Sequence, residues 1–311
     1  MVMTGLTAQP KRVLVVVKET LKSKALASDE ARFKRLLDPD CSENARIERT
    51  DQEHRLTLQH VVDVLHDRDI DARCVARAPG EHFDVGNEEL IVTVGGDGTF
   101  LDASHSVRGT VPMLGVNSAP LTSFGHFCLT DRAGFEATID AILRGARKPL
   151  ALLRLQLSID CQPAFDMPVL NEVLVTHSCP AGTSRYKLEV AGVTAEHKSS
   201  GLIISTPSGS TGFMRSAGGP IADIVDQTFA FWVDKPFRTP GERFELRGGE
   251  VIDHKLVVTS GMFEGRLYID GQHITREFPR GSKLTVTVHE SPLLAYVNAD
   301  CHDRFKADAN S

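Results

Sequence analysis

The segment Glu89-Leu90-Ile91-Val92-Thr93-Val94-Gly95-Gly96-Asp97-Gly98-Thr99-Phe100-Leu101 constrains this chain more than any other. An apolar run of strand length ends in a turn holding three glycines and one carboxylate, and a helix-like stretch follows. Glycine reaches backbone conformations closed to residues with a Cβ, so successive N–H groups of such a turn can converge on anionic oxygens. Strand, glycine turn and helix N-terminus, in that order, form the phosphate-binding junction of many nucleotide-binding α/β proteins. Asp97 sits among those donors, placed to face a phosphate, a metal or a hydroxyl. Gly-Asp-Gly is also an ordinary tight turn, and the rest of the chain decides between the two readings.

From Arg12 to about Gly145, short apolar runs alternate with helical periods: Val13 to Val17, a helix around Leu56 to His66, Ala72 to Ala76, Leu90 to Val94, a helix after Thr99, Val111 to Val116, and a helix from Asp131 to Leu143. Apolar strands separated by helices predict a parallel sheet covered on both faces. Between Thr20 and about Thr50 the chain is charged and weakly periodic, broken by Asp38-Pro39-Asp40, and reads as a mobile excursion with one helix through Ala31 to Leu37. After about Ala151 the texture alternates, as in Leu153 to Leu157, Tyr186 to Val190, Leu256 to Thr259 and Leu284 to Val288. Period-two alternation predicts half-buried antiparallel strands. Asp270-Gly271 between Leu267-Tyr268-Ile269 and Ile274 signals a hairpin turn, whose central residues need positive φ.

The fold class is therefore α/β. A Rossmann-like domain with a parallel sheet is expected over residues 1–148, and a β-rich, sandwich-like domain over 149–290. A return segment over 291–311 carries a strand, Leu293 to Val297, that periodicity assigns to neither domain. The catalytic cleft is expected where the two domains meet, since pockets favour such junctions.

A chain of 311 residues, 41% hydrophobic and 24% charged, can bury a large core. Its net charge of −6, without a long basic block, gives a nucleic-acid partner no electrostatic support. Cys41, Cys74, Cys128, Cys161, Cys179 and Cys301 form no Cys-x-x-Cys pair and fit reduced thiols, neither a zinc site nor a disulfide framework. No apolar run approaches the roughly 20 residues of a membrane span, and Met1 to Pro10 has the pattern of neither a secretory nor an arginine-rich leader. A cytoplasmic enzyme acting on small molecules, with no membrane partner, is the expectation.

A second chemical segment runs Leu202-Ile203-Ile204-Ser205-Thr206-Pro207-Ser208-Gly209-Ser210-Thr211-Gly212-Phe213, leading into Ser216-Ala217-Gly218-Gly219-Pro220. Again a strand enters a glycine turn, this time with five hydroxyls, a cradle suited to ribose and phosphate oxygens. A third element, Leu170-Asn171-Glu172-Val173-Leu174-Val175, opens an apolar strand with an amide and a carboxyl. Neighbouring strand residues point to opposite faces, so both serve one ligand only at a strand end or bulge. There the amide suits an adenine edge and the carboxylate a ribose diol.

Together these segments resemble the NAD kinase family, from about Val13 to Val288. The carrying residues are Gly95-Gly96-Asp97-Gly98-Thr99, Gly115-Val116-Asn117, Asn171-Glu172-Val173, and Thr206-Pro207-Ser208-Gly209-Ser210-Thr211 with Ala217-Gly218-Gly219-Pro220-Ile221. The first motif alone marks a wider superfamily that includes lipid kinases and phosphofructokinases; the set of four is far more specific. The resemblance implies a phosphotransferase moving the γ-phosphoryl of ATP, or of polyphosphate in some bacteria, to the 2′-hydroxyl of the adenosine ribose of NAD. It implies Asp97 as activator of that hydroxyl and Asn171 and Glu172 as holders of the adenosine half. It further implies that Ser208, Thr211 and Phe213 line the dinucleotide site and that Gly95, Gly96, Gly98, Thr99, Asn117, Ser200, Thr206, Gly209 and Ser210 complete the nucleotide-binding set. It also implies a homo-oligomer, dimer or tetramer, whose neighbouring subunits help complete the site.

Three stretches depart from the family pattern. Lys198-Ser199-Ser200-Gly201-Leu202 puts serine where most of the family has an aspartate, Phe213 replaces the usual tyrosine, and Ser118 to Cys128 replaces a short glycine-rich turn. The Gly125-His126-Phe127-Cys128 and Lys198-Ser199-Ser200-Gly201-Leu202 stretches look like the divergent branch that contains the mitochondrial NAD kinases. Magnesium is expected to arrive with ATP, since no carboxylate cluster marks a protein-only metal cage. No Gly-x-x-x-x-Gly-Lys-Ser/Thr loop and no Gly-x-Gly-x-x-Gly is present, so a Walker-type ATPase and a hydride-transferring Rossmann enzyme lack support. His126 reads as structural or solvated, and Trp232 as core or subunit interface. Two rivals stay open: a lipid kinase of the diacylglycerol or sphingoid type, and a non-catalytic dinucleotide sensor.

Overall fold

The structure is a computed structural model that describes residues 9–77, 82–163, 167–237 and 245–300. Those residues divide into two compact units: one runs to Leu150 and takes in Leu294–Asn298, and the other spans Ala151–Leu293.

In the first unit, β1 (Arg12–Val17) is followed by helices α1 (Leu21–Ala27), α2 (Ala31–Leu36) and α3 (Asn44–His66). Then come β2 (Asp71–Ala76), β3 (Leu90–Gly95), α4 (Asp97–Ser104), β4 (Met113–Asn117), β5 (Cys128–Asp131) and α5 (Phe135–Leu143). The sheet is parallel, with β1 between β2 and β3, and β4 beyond β3. Val13, Val15, Val92, Val94, Leu114 and Val116 bury one sheet face against Val61 and Leu65 of α3 and Phe135, Ile139 and Ile142 of α5. Leu14, Val16, Ile91 and Met113, alternating with these, are equally buried on the other face, which is why the strands read as continuous apolar runs.

The segment expected as an excursion with one helix is mostly helical, a correction with a local cause. Thr20 caps α1 by accepting from Ser23 N–H at 3.1 Å, and α3 begins twelve residues before the predicted Leu56. The buried positions in that earlier part of α3 include Asp51 and His54 as well as Ile47, so the inward face carries polar groups and the apolar period vanishes. Thr20 Oγ1 donates to Asp51 at 2.5 Å, which satisfies the buried carboxylate.

A short strand β6 (Leu150–Leu152) leads into the second unit, which holds twelve strands, β7 (Leu155–Ile159), β8 (Gln162–Pro163), β9 (Glu172–His177), β10 (Ser184–Val190), β11 (Val193–Ser199), β12 (Gly201–Ser205), β13 (Phe229–Asp234), β14 (Gly248–Val251), β15 (Lys255–Ser260), β16 (Gly265–Ile269), β17 (Ile274–Glu277) and β18 (Lys283–Val288). They form two antiparallel sheets, ordered β11-β10-β15-β18-β7-β8 and β14-β13-β12-β9-β16-β17. Leu157, Leu188, Val258, Leu284 and Val286 of one sheet share a core with Val173, Val175, Leu202, Ile204, Phe231 and Leu267 of the other, a sandwich built on period-two alternation. Asp270 and Gly271 adopt φ of 47° and 107° between β16 and β17. The return strand β19 (Leu293–Tyr296) pairs parallel with β4, Ala295 beside Met113 and Tyr296 beside Leu114, so it joins the first unit's sheet between β4 and β6.

Cys41, Cys74, Cys128, Cys161 and Cys179 are free thiols, and Cys301 lies outside the described residues. Trp232 donates its indole N–H to Ala217 O at 2.9 Å and carries the Arg247 guanidinium over its ring.

Candidate active site

The turn after β3 is built around close packing. A Cβ at Gly95 would stand 2.2 Å from Thr99 Oγ1, so only glycine lets the buried Thr99 fold back under the strand end. Gly96 caps α4 and accepts from Thr99 N–H at 2.9 Å. Asp97 opens the helix, half-buried, and its Oδ1 accepts from the Phe127 N–H at 2.7 Å, while Gly98 lies exposed beside it. That bond ties the 118–127 loop to the carboxylate and leaves the second oxygen, Oδ2, without a hydrogen-bond partner among the described residues. Asn117 serves the same loop: its Oδ1 accepts from Ala119 N–H at 3.0 Å and its Nδ2 donates to Ser123 O at 2.9 Å. Burial and the nearby Asp97 charge push the Cys128 thiol up, so it stays protonated. His126 packs edge-on against Phe127.

In the second unit, the head of β9 meets the loop after β12. Thr206 Oγ1 donates to Leu170 O at 2.6 Å, Thr206 N–H to Asn171 O at 3.0 Å, and Ser208 Oγ to Leu170 O at 2.9 Å. Ser205 Oγ reaches Thr206 O, and Ser210 Oγ donates to Pro207 O while accepting from Ala222 N–H. The O–H groups of Ser205, Thr206, Ser208 and Ser210 are thus used to fasten the loop to the β9 head and to itself, and Thr206 Oγ1 also accepts from Gly209 N–H at 3.1 Å. A Cβ at Gly209 would stand 2.3 Å from Asn171 O, which makes glycine a condition of that fastening.

The loop holds Asn171 and Glu172 in place. Their buried atoms Asn171 Oδ1 and Glu172 Oε2 have no hydrogen-bond partner among the described residues, and a Cβ at Gly212 would lie 3.7 Å from Asn171 Nδ2 and 3.8 Å from Glu172 Oε2. Amide and carboxyl therefore border one glycine, as a strand end permits. Asp270 organises this corner: its Oδ1 accepts from the N–H groups of Asn171 and Glu172 at 2.7 and 3.1 Å, and its Oδ2 from Leu170 N–H at 2.9 Å. Burial, then the Asp270 charge, push the Glu172 carboxyl up to about 8 from an ordinary 4.5. The sequence marked Asp270 only as a turn residue; nothing local signals that its carboxylate reaches a strand head 98 to 100 positions earlier.

Gly95, Gly96, Asp97, Gly98, Thr99 and Asn117 thus gather in the first unit, and Asn171, Glu172, Thr206, Ser208, Gly209 and Ser210 in the second. Thr211 closes the 3-10 turn, and Phe213, 43% exposed, opens the one-turn helix α6 (Phe213–Ser216). Ser200 does not join them. It stands at the other end of β12 from Ser205, the partner of Glu172, about 17 Å away along the strand.

Residues 13–146 match the ATP-NAD kinase N-terminal domain and residues 170–227 the ATP-NAD kinase C-terminal domain. The chain belongs to the ATP-NAD kinase family. Like the rest of the ATP-NAD kinase family, it is a kinase that phosphorylates a hydroxyl. It is 33% identical to a probable NADH kinase of Oryza sativa subsp. japonica, across 78% of this chain and 81% of that one. It is 31% identical to an NAD kinase of Methanoculleus marisnigri, across 69% and 76%. Among solved structures, an NAD kinase from Archaeoglobus fulgidus in complex with ATP superposes with a TM-score of 0.68 at 23% identity, covering 96% of this chain and 98% of that one. Yeast NADH kinase complexed with NADH gives 0.70 at 15%, covering 96% and 87%. At those identities the two superpositions speak to the ATP-NAD kinase fold, and the family membership rests on sequence.

Proposed function

We propose that this chain transfers the γ-phosphoryl group of ATP to the 2′-hydroxyl of the adenosine ribose of NAD or NADH. The observation that carries the reading is the pair of buried, unpartnered polar atoms, Asn171 Oδ1 and Glu172 Oε2, beside Gly212. Buried polar groups are normally paired, and an amide next to a carboxyl complements an adenine edge next to a ribose diol. Relatives named for NAD and for NADH make both redox forms the acceptors to test.

Phosphoryl transfer asks for positioning and charge neutralisation more than covalent chemistry. Asp97 is assigned the proton: Oδ1 is held by Phe127 N–H, so Oδ2 accepts from the ribose hydroxyl as its oxygen attacks phosphorus. Magnesium enters with ATP as part of the substrate complex and neutralises phosphate charge there. Ser200, remote from Glu172 within its own chain, would contribute to the site of a neighbouring subunit in a homo-oligomer.

The test is formation of the 2′-phosphorylated dinucleotide from NAD or NADH with ATP and magnesium. Asp97→Asn is expected to lower the rate by about 100-fold or more while NAD still binds. No product from the wild type, or undiminished product from the variant, defeats the reading.

A further inference from the structure

The strand order β2-β1-β3-β4 has one reversal of direction. From β1 the chain goes out to β2 on one side and then crosses to β3 on the other, so the carboxyl ends of β1 and β3 part around a crevice. In open α/β sheets, ligands bind in that position. One bank carries Gly95, Gly96 and Asp97. The other carries Lys18, the first residue after β1, whose N–H donates to Val94 O at 3.0 Å and whose Cβ would lie 3.1 Å from a Cβ on Gly95.

Lys18 is set among cations. Arg77, the first residue after β2, donates its N–H to Val17 O at 2.8 Å, and its guanidinium, paired with Asp102 of α4, approaches within 4.0 Å of the Cβ position of the exposed Gly98. Partial burial and repulsion from Arg77 and Lys24 pull the Lys18 ammonium below its ordinary value, and among the described residues it forms no ion pair. A half-buried ammonium held against like charge is costly unless an anion compensates it. The structure also fixes its backbone. His54, kept neutral by burial and by the Lys18 charge with a pKa of about 4, hydrogen-bonds to the Lys18 backbone and, through Nδ1, meets Ser118 Oγ at 3.0 Å. One buried ring thereby links the ends of β1 and β4 across the β3 turn.

We propose that Lys18, with Arg77 behind it, anchors the terminal phosphates of the phosphoryl donor across the β1/β3 crevice from Gly96 and Asp97. The ligand chemistry is a polyphosphate chain, which a nucleoside triphosphate and inorganic tripolyphosphate share. The assignment rests on the phosphotransferase reading and adds a donor-binding residue to it. Lysine suits the task as a compact point charge that follows phosphate oxygens without demanding a fixed fork geometry.

The experiment is calorimetric titration of the full chain with magnesium ATP and with tripolyphosphate, each in the absence of acceptor, and separately with NAD alone. Lys18→Met is expected to weaken ATP and tripolyphosphate binding by about tenfold or more, since hydrogen bonds to charged groups contribute that much, and to leave NAD affinity within about twofold. Lys18→Arg is expected to keep most of the donor affinity, and Lys18→Gln repeats the test should the methionine variant fail to fold. Unchanged ATP affinity, a loss confined to ATP with tripolyphosphate unaffected, or an equal loss for NAD would each overturn the anchor. Binding is read apart from turnover, so the outcomes separate. A wild type that makes no phosphorylated dinucleotide sinks the proposed function, whereas turnover with a donor affinity indifferent to Lys18 sinks only the anchor.

Discussion

Replacing Glu172 by glutamine should make the ligand-free protein less sensitive to alkali. The carboxyl titrates near 8 in the folded chain and near 4.5 when exposed, because it is buried and faces Asp270. A group whose folded pKa is raised binds its proton more tightly in the native state. Its contribution is therefore complete below about pH 4.5 and lost as pH climbs toward 8. Between those limits the slope approaches about 1.4 kcal/mol per pH unit. From pH 5 to pH 7 the wild type should lose about 2.5 kcal/mol that Glu172→Gln keeps, or about 5–10 °C of melting temperature for a unit of this size. The assay is thermal unfolding of both proteins at pH 5, 6, 7 and 8, read as the difference between them so that other titrating groups cancel. Melting curves that stay parallel over the whole range would refute the account, since they would mean that Glu172 ionises in the folded state as readily as in water.

Two further substitutions probe the same corner. Asp270→Ala strips the acceptor from three backbone N–H groups at the head of β9; it should cost about 2–3 kcal/mol or more in urea unfolding and raise KM for the dinucleotide more than for ATP. Gly209→Ala places a methyl 2.3 Å from Asn171 O; it should destabilise by about 1–3 kcal/mol and shift the dinucleotide KM in the same direction, a result excluded if alanine leaves both unchanged.

The sequence made the β3 junction readable because every requirement there is local: an apolar strand, glycines where Thr99 packs against the backbone, and a helix start. The α/β texture of one half and the alternation of the other were readable for the same reason. What it hid was long-range. The hydroxyls after β12 looked like ligand groups, yet Thr206 and Ser208 spend their O–H donors on Leu170 and Asn171 carbonyls some 35 positions away. Asp270 looked like a turn and nothing more. Buried Asp51 and His54 erased the first half of α3 from the apolar pattern, since a buried polar residue with a partner cannot be told from a solvated one until the partner is known. Alternation in the return strand established that it was a strand and left open which sheet would take it.

That return strand has a consequence for how the molecule is made. Met113 and Leu114 of β4 acquire their neighbours Ala295 and Tyr296 only after the whole sandwich has left the ribosome. A nascent chain stopped anywhere before then has β5 beside Gly115 to Asn117 but leaves Met113 and Leu114 unpaired on that side, an edge of the kind that recruits strands from other chains. Fragments ending near Leu150 should aggregate, and supplying residues 290–300 as a separate peptide should rescue them.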